Sequence, residues 1–151
     1  MQSQLLFQII FLLIFIIPLC FFLVTLQNTL KIISPENRKM SPGSVWLILI
    51  PFFGMVWQFI MVRRIADSIG DECVKLNIDT KERAPTYTIG LIYCISSLIF
   101  LIPITKTIGA LAALATWIMY WIKVNQYRKL LIANKDNYML DAEKEIFHTQ
   151  L

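Results

Sequence analysis

The stretch Ser41-Pro-Gly-Ser-Val-Trp-Leu-Ile-Leu-Ile-Pro-Phe-Phe-Gly-Met-Val-Trp-Gln-Phe-Ile-Met-Val-Arg-Arg64 decides the fold of this 151-residue chain. Residues 45–62 carry no charge. At about 1.5 Å rise per residue they would form a helix of roughly 27 Å, enough to cross the hydrocarbon core of a bilayer. Pro51 and Gly54 lie near its centre, and Gln58 is its one strongly polar side chain. The stretch therefore predicts an interrupted membrane helix.

Three more uncharged apolar runs accompany it, at residues 5–26, 87–104 and 108–122. The first run could instead be a signal peptide, but no basic residue precedes it, it is too long, and no small-residue cleavage site follows. The composition, 57% hydrophobic and 16% charged with a mean hydropathy of +0.63, is also shifted from that of soluble domains towards membrane proteins. We therefore predict an all-α fold, a four-helix transmembrane bundle that forms a single domain over 1–151.

Polar segments connect and extend these spans. The 63–86 loop begins with a helical pattern of apolar residues at Ile65, Ile69, Cys73 and Leu76, with charged residues between them. This pattern predicts an amphipathic extension of the second helix, packed on the protein's own body or available to a partner. The 123–151 tail is predicted to continue the fourth helix, with a second short helix starting at Asp141.

The distribution of basic residues predicts the orientation. The 63–86 loop and the tail after residue 122 each carry five Lys or Arg, whereas the 27–44 and 105–107 connections carry three and one. The positive-inside rule then places both termini and the 63–86 loop in the cytoplasm, with the spans in the cell (inner) membrane. Trp57, Trp117, Tyr120 and Trp121 are predicted to form an aromatic belt at the cytoplasmic surface, with Trp46 at the opposite surface. The predicted interface anchors are Trp46, Trp57, Arg63, Arg64, Trp117, Trp121 and Lys123.

The apolar runs contain no Asp, Glu, His, Lys or Arg, although proton relays and ion-coupled transporters normally need such a group at depth. Three unpaired cysteines and the single His148 offer no metal motif, and no phosphate-binding loop appears. The loop carboxylates, including Glu72, are interspersed with basic residues and are interpreted as a solvated face. We therefore predict no enzyme activity, no cofactor, no metal and no nucleic-acid partner.

Two stripes of small residues mark the third and fourth spans. Such stripes let membrane helices approach closely, which replaces the hydrophobic driving force that lipid does not provide. They predict a packing seam, either within the hairpin of these two spans or between copies in a homo-oligomer. The residues of this seam are Gly90, Cys94, Ser97, Gly109, Ala112, Ala113 and Thr116.

The break in the central helix has two interpretations. Proline at position 51 removes a backbone hydrogen bond to Leu47, and its ring crowds that turn. Pro51, Gly54 and Gln58 then either line a cavity, as unwound backbone does in some transporters, or form a static kink that shapes the bundle.

The block from Asn37 to Pro51, with Ser41-Pro42-Gly43 leading into Ile50-Pro51, followed by Trp57 and the 64–68 stretch Arg-Ile-Ala-Asp-Ser, resembles small bacterial multi-pass membrane proteins of unknown function. The likeness covers about thirty residues of this chain. It implies a bacterial membrane location and four spans, and it supplies no activity.

These observations favour a non-enzymatic protein surrounded by the lipid bilayer. The leading hypothesis is an oligomeric membrane scaffold or a pore or channel subunit. The alternative is a membrane anchor or accessory subunit for a soluble enzyme or sensor. In either case a cytoplasmic protein partner would dock on the 63–86 loop or the 123–151 tail.

Overall fold

A computed structural model describes residues 2–80 and 82–149 of the chain. Every regular element in these residues is helical, which confirms the predicted all-α class. In chain order the elements are α1 (Gln2–Ile32), a 3-10 helix (Pro42–Leu49), α2 (Phe53–Lys75), α3 (Tyr87–Ile99), a 3-10 turn (Pro103–Thr105) and α4 (Lys106–Thr149). The helix predicted to start at Asp141 is part of α4, and the side chains of Asp141 and His148 lie outside the described part of the chain.

Of the four spans predicted, two helices among the described residues are long and apolar enough to cross a membrane, over Gln4–Ile32 and Thr107–Leu140. Less than a fifth of the most apolar window of each helix is buried inside the protein. A core helix of a soluble protein would be covered by its neighbours, so this exposure favours contact with lipid. The C-terminal half of α1 does pack into the core, where Phe22, Leu26 and Leu30 are fully buried.

The segment predicted as one interrupted span folds back on itself as a hairpin, which we define as residues 42–62. Its two arms are the 3-10 helix and the start of α2, and the chain reverses at Pro51 and Phe52, where Phe52 has a φ of 60°. The arms lie side by side: Gly54 meets the Ile48 backbone, and Trp57 Nε1 donates to the Ser44 carbonyl at 2.9 Å. The antiparallel register brings both ends of the hairpin to one end of the molecule.

The prediction of one interrupted helix that crosses the membrane is therefore not met, because the chain reverses direction at Pro51 and Phe52. Backbone geometry at the turn and contacts with α1 both favour this reversal. Proline at position 51 lacks an N–H group, and the left-handed backbone at Phe52 turns the chain sharply. Trp46 and Trp57, predicted at opposite surfaces, are both packed on the same side of this turn, and Trp46 Nε1 donates to Gln27 Oε1 at 3.2 Å. The expectation for Trp46 is therefore wrong.

Helix α3 runs antiparallel to α2 and then to α4. Gly90, near its start, packs against Val62 and Tyr120, and Ser97, near its end, accepts a hydrogen bond from Gln58. Residues 100–105 turn the chain into α4, whose Gly109 packs on the turn. The predicted hairpin of the third and fourth spans is thus present.

Helix α1 runs parallel to α4. Trp121 Nε1 donates to Thr25 Oγ1 at 3.1 Å, and further along both helices Lys135 Nζ donates to the Ile32 carbonyl at 2.9 Å. The C-terminal ends of α1 and α2 and the part of α4 around Lys135 therefore lie at one end of the bundle. We call this the polar end (residues 31–41, 63–86 and 123–140); the opposite end is formed by residues 100–106.

Candidate functional site

The polar end is closed around a buried carboxyl group. Glu72 on α2 is 1% exposed and accepts hydrogen bonds from Ser34 Oγ (2.9 Å) and Asn37 Nδ2 (2.7 Å). Ser34 and Asn37 belong to the loop that enters the hairpin, so these bonds fasten that loop to the part of α2 that follows the second arm. A buried polar group needs such partners, because leaving it unpaired costs free energy.

Two ion pairs surround this carboxyl group. Lys75 Nζ donates to Ser34 Oγ at 2.9 Å and to Glu36 Oε1 at 2.6 Å. The hydrogen bond between Lys75 and Glu36 raises the pKa of Lys75 and lowers the pKa of Glu36. Lys39 pairs with Asp71 at 2.6 Å. We call the set Ser34, Glu36, Asn37, Lys39, Asp71, Glu72 and Lys75 the polar clamp.

The prediction that Glu72 lies on a solvated face is wrong, because its side chain is buried. Glu72 lies seven residues after Ile65 and three after Ile69, both fully buried, so helical spacing puts it on the inward edge of α2. That spacing was the available signal. The other half of the clamp carries no such pattern, since Ser34 and Asn37 lie in an irregular loop.

The predicted break residues come together in a cleft between α1, the turn of the hairpin and α3. Pro51, Gly54 and Gln58 all line it, and its volume is about 270 Å³. Gly54 also makes the hairpin possible, because a Cβ there would collide with the backbone carbonyl of Ile48. We call this cavity the hairpin cleft; its other walls include Leu19, Ile50, Phe52, Tyr93, Ser97 and Leu101.

A short hydrogen-bond chain forms the polar floor of the cleft. Gln58 Nε2 donates to Ser97 Oγ at 2.9 Å, and Ser97 Oγ donates to the Cys94 carbonyl at 2.7 Å. None of the residues that line the cleft is charged. The cleft therefore offers hydrogen bonding and apolar contact, and Tyr93 is the one titratable side chain among its lining residues.

The predicted seam residues pack within one chain. A Cβ on Gly90 would lie 2.9 Å from a ring carbon of Tyr120, and a Cβ on Gly109 would lie 2.8 Å from the Phe100 Cα. Cys94 is fully buried. On α4, Ala112 and Ala113 are half-buried, and Thr116 Oγ1 donates to the Ala112 carbonyl at 2.7 Å. Gly90, Cys94, Ser97 and Gly109 thus serve close packing of α3 against α2 and α4, whereas no contact with another helix is assigned to Ala112, Ala113 and Thr116.

The predicted anchors form two groups: tryptophans that pack between helices, and cations at the polar end. Trp117 packs edge-on against Phe22 with ring centroids 5.6 Å apart, and Tyr120 is fully buried beside it, so the expectation of Tyr120 in an interfacial belt is wrong. Arg63 and Arg64 are exposed, and Lys123 is half-buried. These three cations lie at the polar end.

The chain matches no protein-family model, no curated protein and no solved structure. Its function is therefore argued from the two features above, the polar clamp and the hairpin cleft.

Proposed function

We propose that this is a non-enzymatic integral membrane protein that acts as a scaffold. Helix α1, residues 87–105 and the first half of α4 cross the bilayer, and the hairpin enters and leaves it from the polar end. Support comes from the exposed apolar windows of α1 and α4 and from the antiparallel register of the hairpin. Non-helical backbone at membrane depth needs protein or water around it, and the arms of the hairpin lie against α1 and α3.

The observation that carries this arrangement is the distribution of basic residues. Three of the fourteen Lys and Arg fall in residues 31–39, five in 63–83 and five in 123–144, which leaves only Lys106 at the opposite end. The four-span layout separates these residues less completely, since it puts the first three on the side of Lys106. By the positive-inside rule the polar end is cytoplasmic, so the N-terminus lies across the membrane from the C-terminus.

Cysteine accessibility tests this topology directly. In a variant with Cys20, Cys73 and Cys94 replaced by alanine, single cysteines are introduced at four exposed positions and treated with a membrane-impermeant maleimide in right-side-out and inverted vesicles. We expect Ser41→Cys, Glu82→Cys and Asp136→Cys to react together in inverted vesicles, and Thr107→Cys to react in right-side-out vesicles. Labelling of Ser41→Cys together with Thr107→Cys would support four crossing spans and overturn the hairpin topology.

The scaffold role rests on the cytoplasmic extension of α4. Residues 123–149 extend α4 for roughly 40 Å at 1.5 Å per residue; the part up to Lys135 packs on α1, and residues 136–149 continue beyond that contact. Ile132 and Met139, seven residues apart on this extension, are 39% and 62% exposed. Exposed apolar side chains on one face of a helix outside the membrane are typical of a protein-docking surface. A soluble enzyme or sensor held there would make the protein its membrane anchor.

In-cell photocrosslinking from Met139 tests this role, with the same crosslinker at Thr107 as the matched control. The proposal expects one discrete protein adduct from position 139 that is absent at position 107. Absence of an adduct at position 139 would refute the scaffold role. Passage of ions or dyes through liposomes that contain the purified protein would favour a pore subunit instead.

A further inference from the structure

We propose that the hairpin cleft binds a neutral lipid that carries a hydroxyl group, such as a long-chain alcohol or a monoacyl or diacyl glycerol. This inference rests on the proposed membrane placement of the hairpin. It adds a ligand site to a protein otherwise described as a scaffold.

The first argument is an unused hydrogen-bond acceptor. The single proton of the Ser97 hydroxyl is donated to the Cys94 carbonyl, so the group of Gln58 that faces Ser97 must be the NH₂. This fixes the amide and leaves Gln58 Oε1 without a hydrogen-bond donor among the residues that the structure describes. The Gln58 side chain is only 6% exposed and lines the cleft, so its acceptor is presented to whatever occupies that space.

The second argument is the position of the cleft. It lies about 15 Å along the arm of α2 from residue 62, where Phe52 of the hairpin turn and Leu101 of the turn after α3 line the same space. Phe52 is 85% exposed and Leu101 is 54% exposed at the rim. The rim of the cleft is therefore apolar, and in the proposed membrane placement it faces lipid, where a hydroxyl group has few other partners.

The third argument is charge and size. The absence of charged side chains from the lining excludes recognition of a carboxylate or phosphate, since a buried ion needs a partner. A volume of about 270 Å³ is slightly below the usual range for small-molecule sites of about 300–1,000 Å³. The cleft thus takes the hydroxyl end of a longer molecule, whose chain continues into the bilayer.

Photoaffinity labelling in lipid nanodiscs tests the proposal. The probe is a hexadecanol with a mid-chain diazirine, and its matched control is the methyl ether of the same molecule, which cannot donate a hydrogen bond. We expect the alcohol to label peptides of the hairpin and α3 about three- to tenfold more than the ether, as expected for one hydrogen bond. Gln58→Leu should reduce alcohol labelling to the level of the ether.

A second variant keeps the test valid if Gln58→Leu does not fold. Leu19→Trp fills the cleft from α1 and leaves the Gln58–Ser97 hydrogen bond intact, so it should suppress labelling by both probes. Leu13→Trp, at an exposed position on the same helix, should not change the labelling.

Equal labelling by alcohol and ether, labelling insensitive to Leu19→Trp, or no labelling of the cleft would each overturn the proposal. Cysteine accessibility measured on the same protein separates the two failures. A hairpin topology without selective labelling refutes the ligand site alone, whereas Ser41→Cys reacting together with Thr107→Cys refutes the membrane placement.

Discussion

Replacing Asn37 with alanine removes one of the two hydrogen bonds accepted by the buried Glu72 carboxyl group, without changing any helix. Asn37 is half-buried in the loop before the hairpin, and its amide lies 2.7 Å from Glu72 Oε2. Because Glu72 is 1% exposed, water cannot replace the lost donor without rearrangement. The variant therefore leaves Oε2 buried and unpaired.

The expected loss follows from that geometry. A buried polar atom that loses its partner costs about 1–3 kcal/mol, whereas a hydrogen bond exposed to water costs much less to remove. We expect Asn37→Ala to lower the free energy of unfolding by about 2 kcal/mol. Asn134→Ala is the matched control, because its amide donates to the Leu130 carbonyl on an exposed part of α4. Its effect should remain within about 0.5 kcal/mol.

Unfolding of the purified protein in mixed detergent micelles, followed by tryptophan fluorescence, measures both variants. A double-mutant cycle with Glu72→Gln then isolates the coupling between positions 37 and 72. If Asn37→Ala were as stable as Asn134→Ala, or if positions 37 and 72 showed no coupling, the role of the clamp in holding the hairpin would be refuted.

Three further predictions concern the hairpin and the polar end. Gly54→Ala should destabilise the protein by about 1–3 kcal/mol through collision with the hairpin's other arm, while Gly43→Ala, with open space around it, should be neutral in the same unfolding measurement. The Glu36–Lys75 pair should stabilise the protein fully between the ordinary pKa values of 4.5 and 10.5. Its contribution should be lost as pH falls through the lowered pKa of Glu36 or rises through the raised pKa of Lys75; thermal midpoints compared with Glu36→Gln check this. Burial raises the pKa of the Cys73 thiol to about 11, so its alkylation at pH 8 should be about 100-fold slower in native than in unfolded protein, as measured by mass spectrometry; equal rates would contradict that burial.

Much of the local structure could be predicted from the sequence. The uncharged runs gave the positions of α1, α3 and α4, and the spacing of Ile65 and Ile69 predicted the buried face of α2. Proline at position 51 predicted a break at the right place. Each of these features depends on residues close together in the chain, where helical periodicity and backbone sterics act.

The direction of the chain after the break could not be predicted in the same way. A proline permits either a kink or a reversal, and here the reversal is accompanied by bonds between distant positions, such as Ser34 with Glu72 and Lys39 with Asp71. Neither pair is close in sequence. The same limit applies to the hairpin cleft, because Gln58 and its partner Ser97 belong to different helices.

The hairpin also has a consequence for the order of assembly. Gln58 leaves the ribosome long before Ser97, and until α3 is synthesised its amide lacks the Ser97 hydroxyl as a partner. In the proposed placement, the apolar arms would therefore reach the insertion machinery as an incomplete unit. Helix α3 would then act as the part that completes integration, and a ribosome stalled before residue 87 would expose an intermediate suited to quality-control proteolysis.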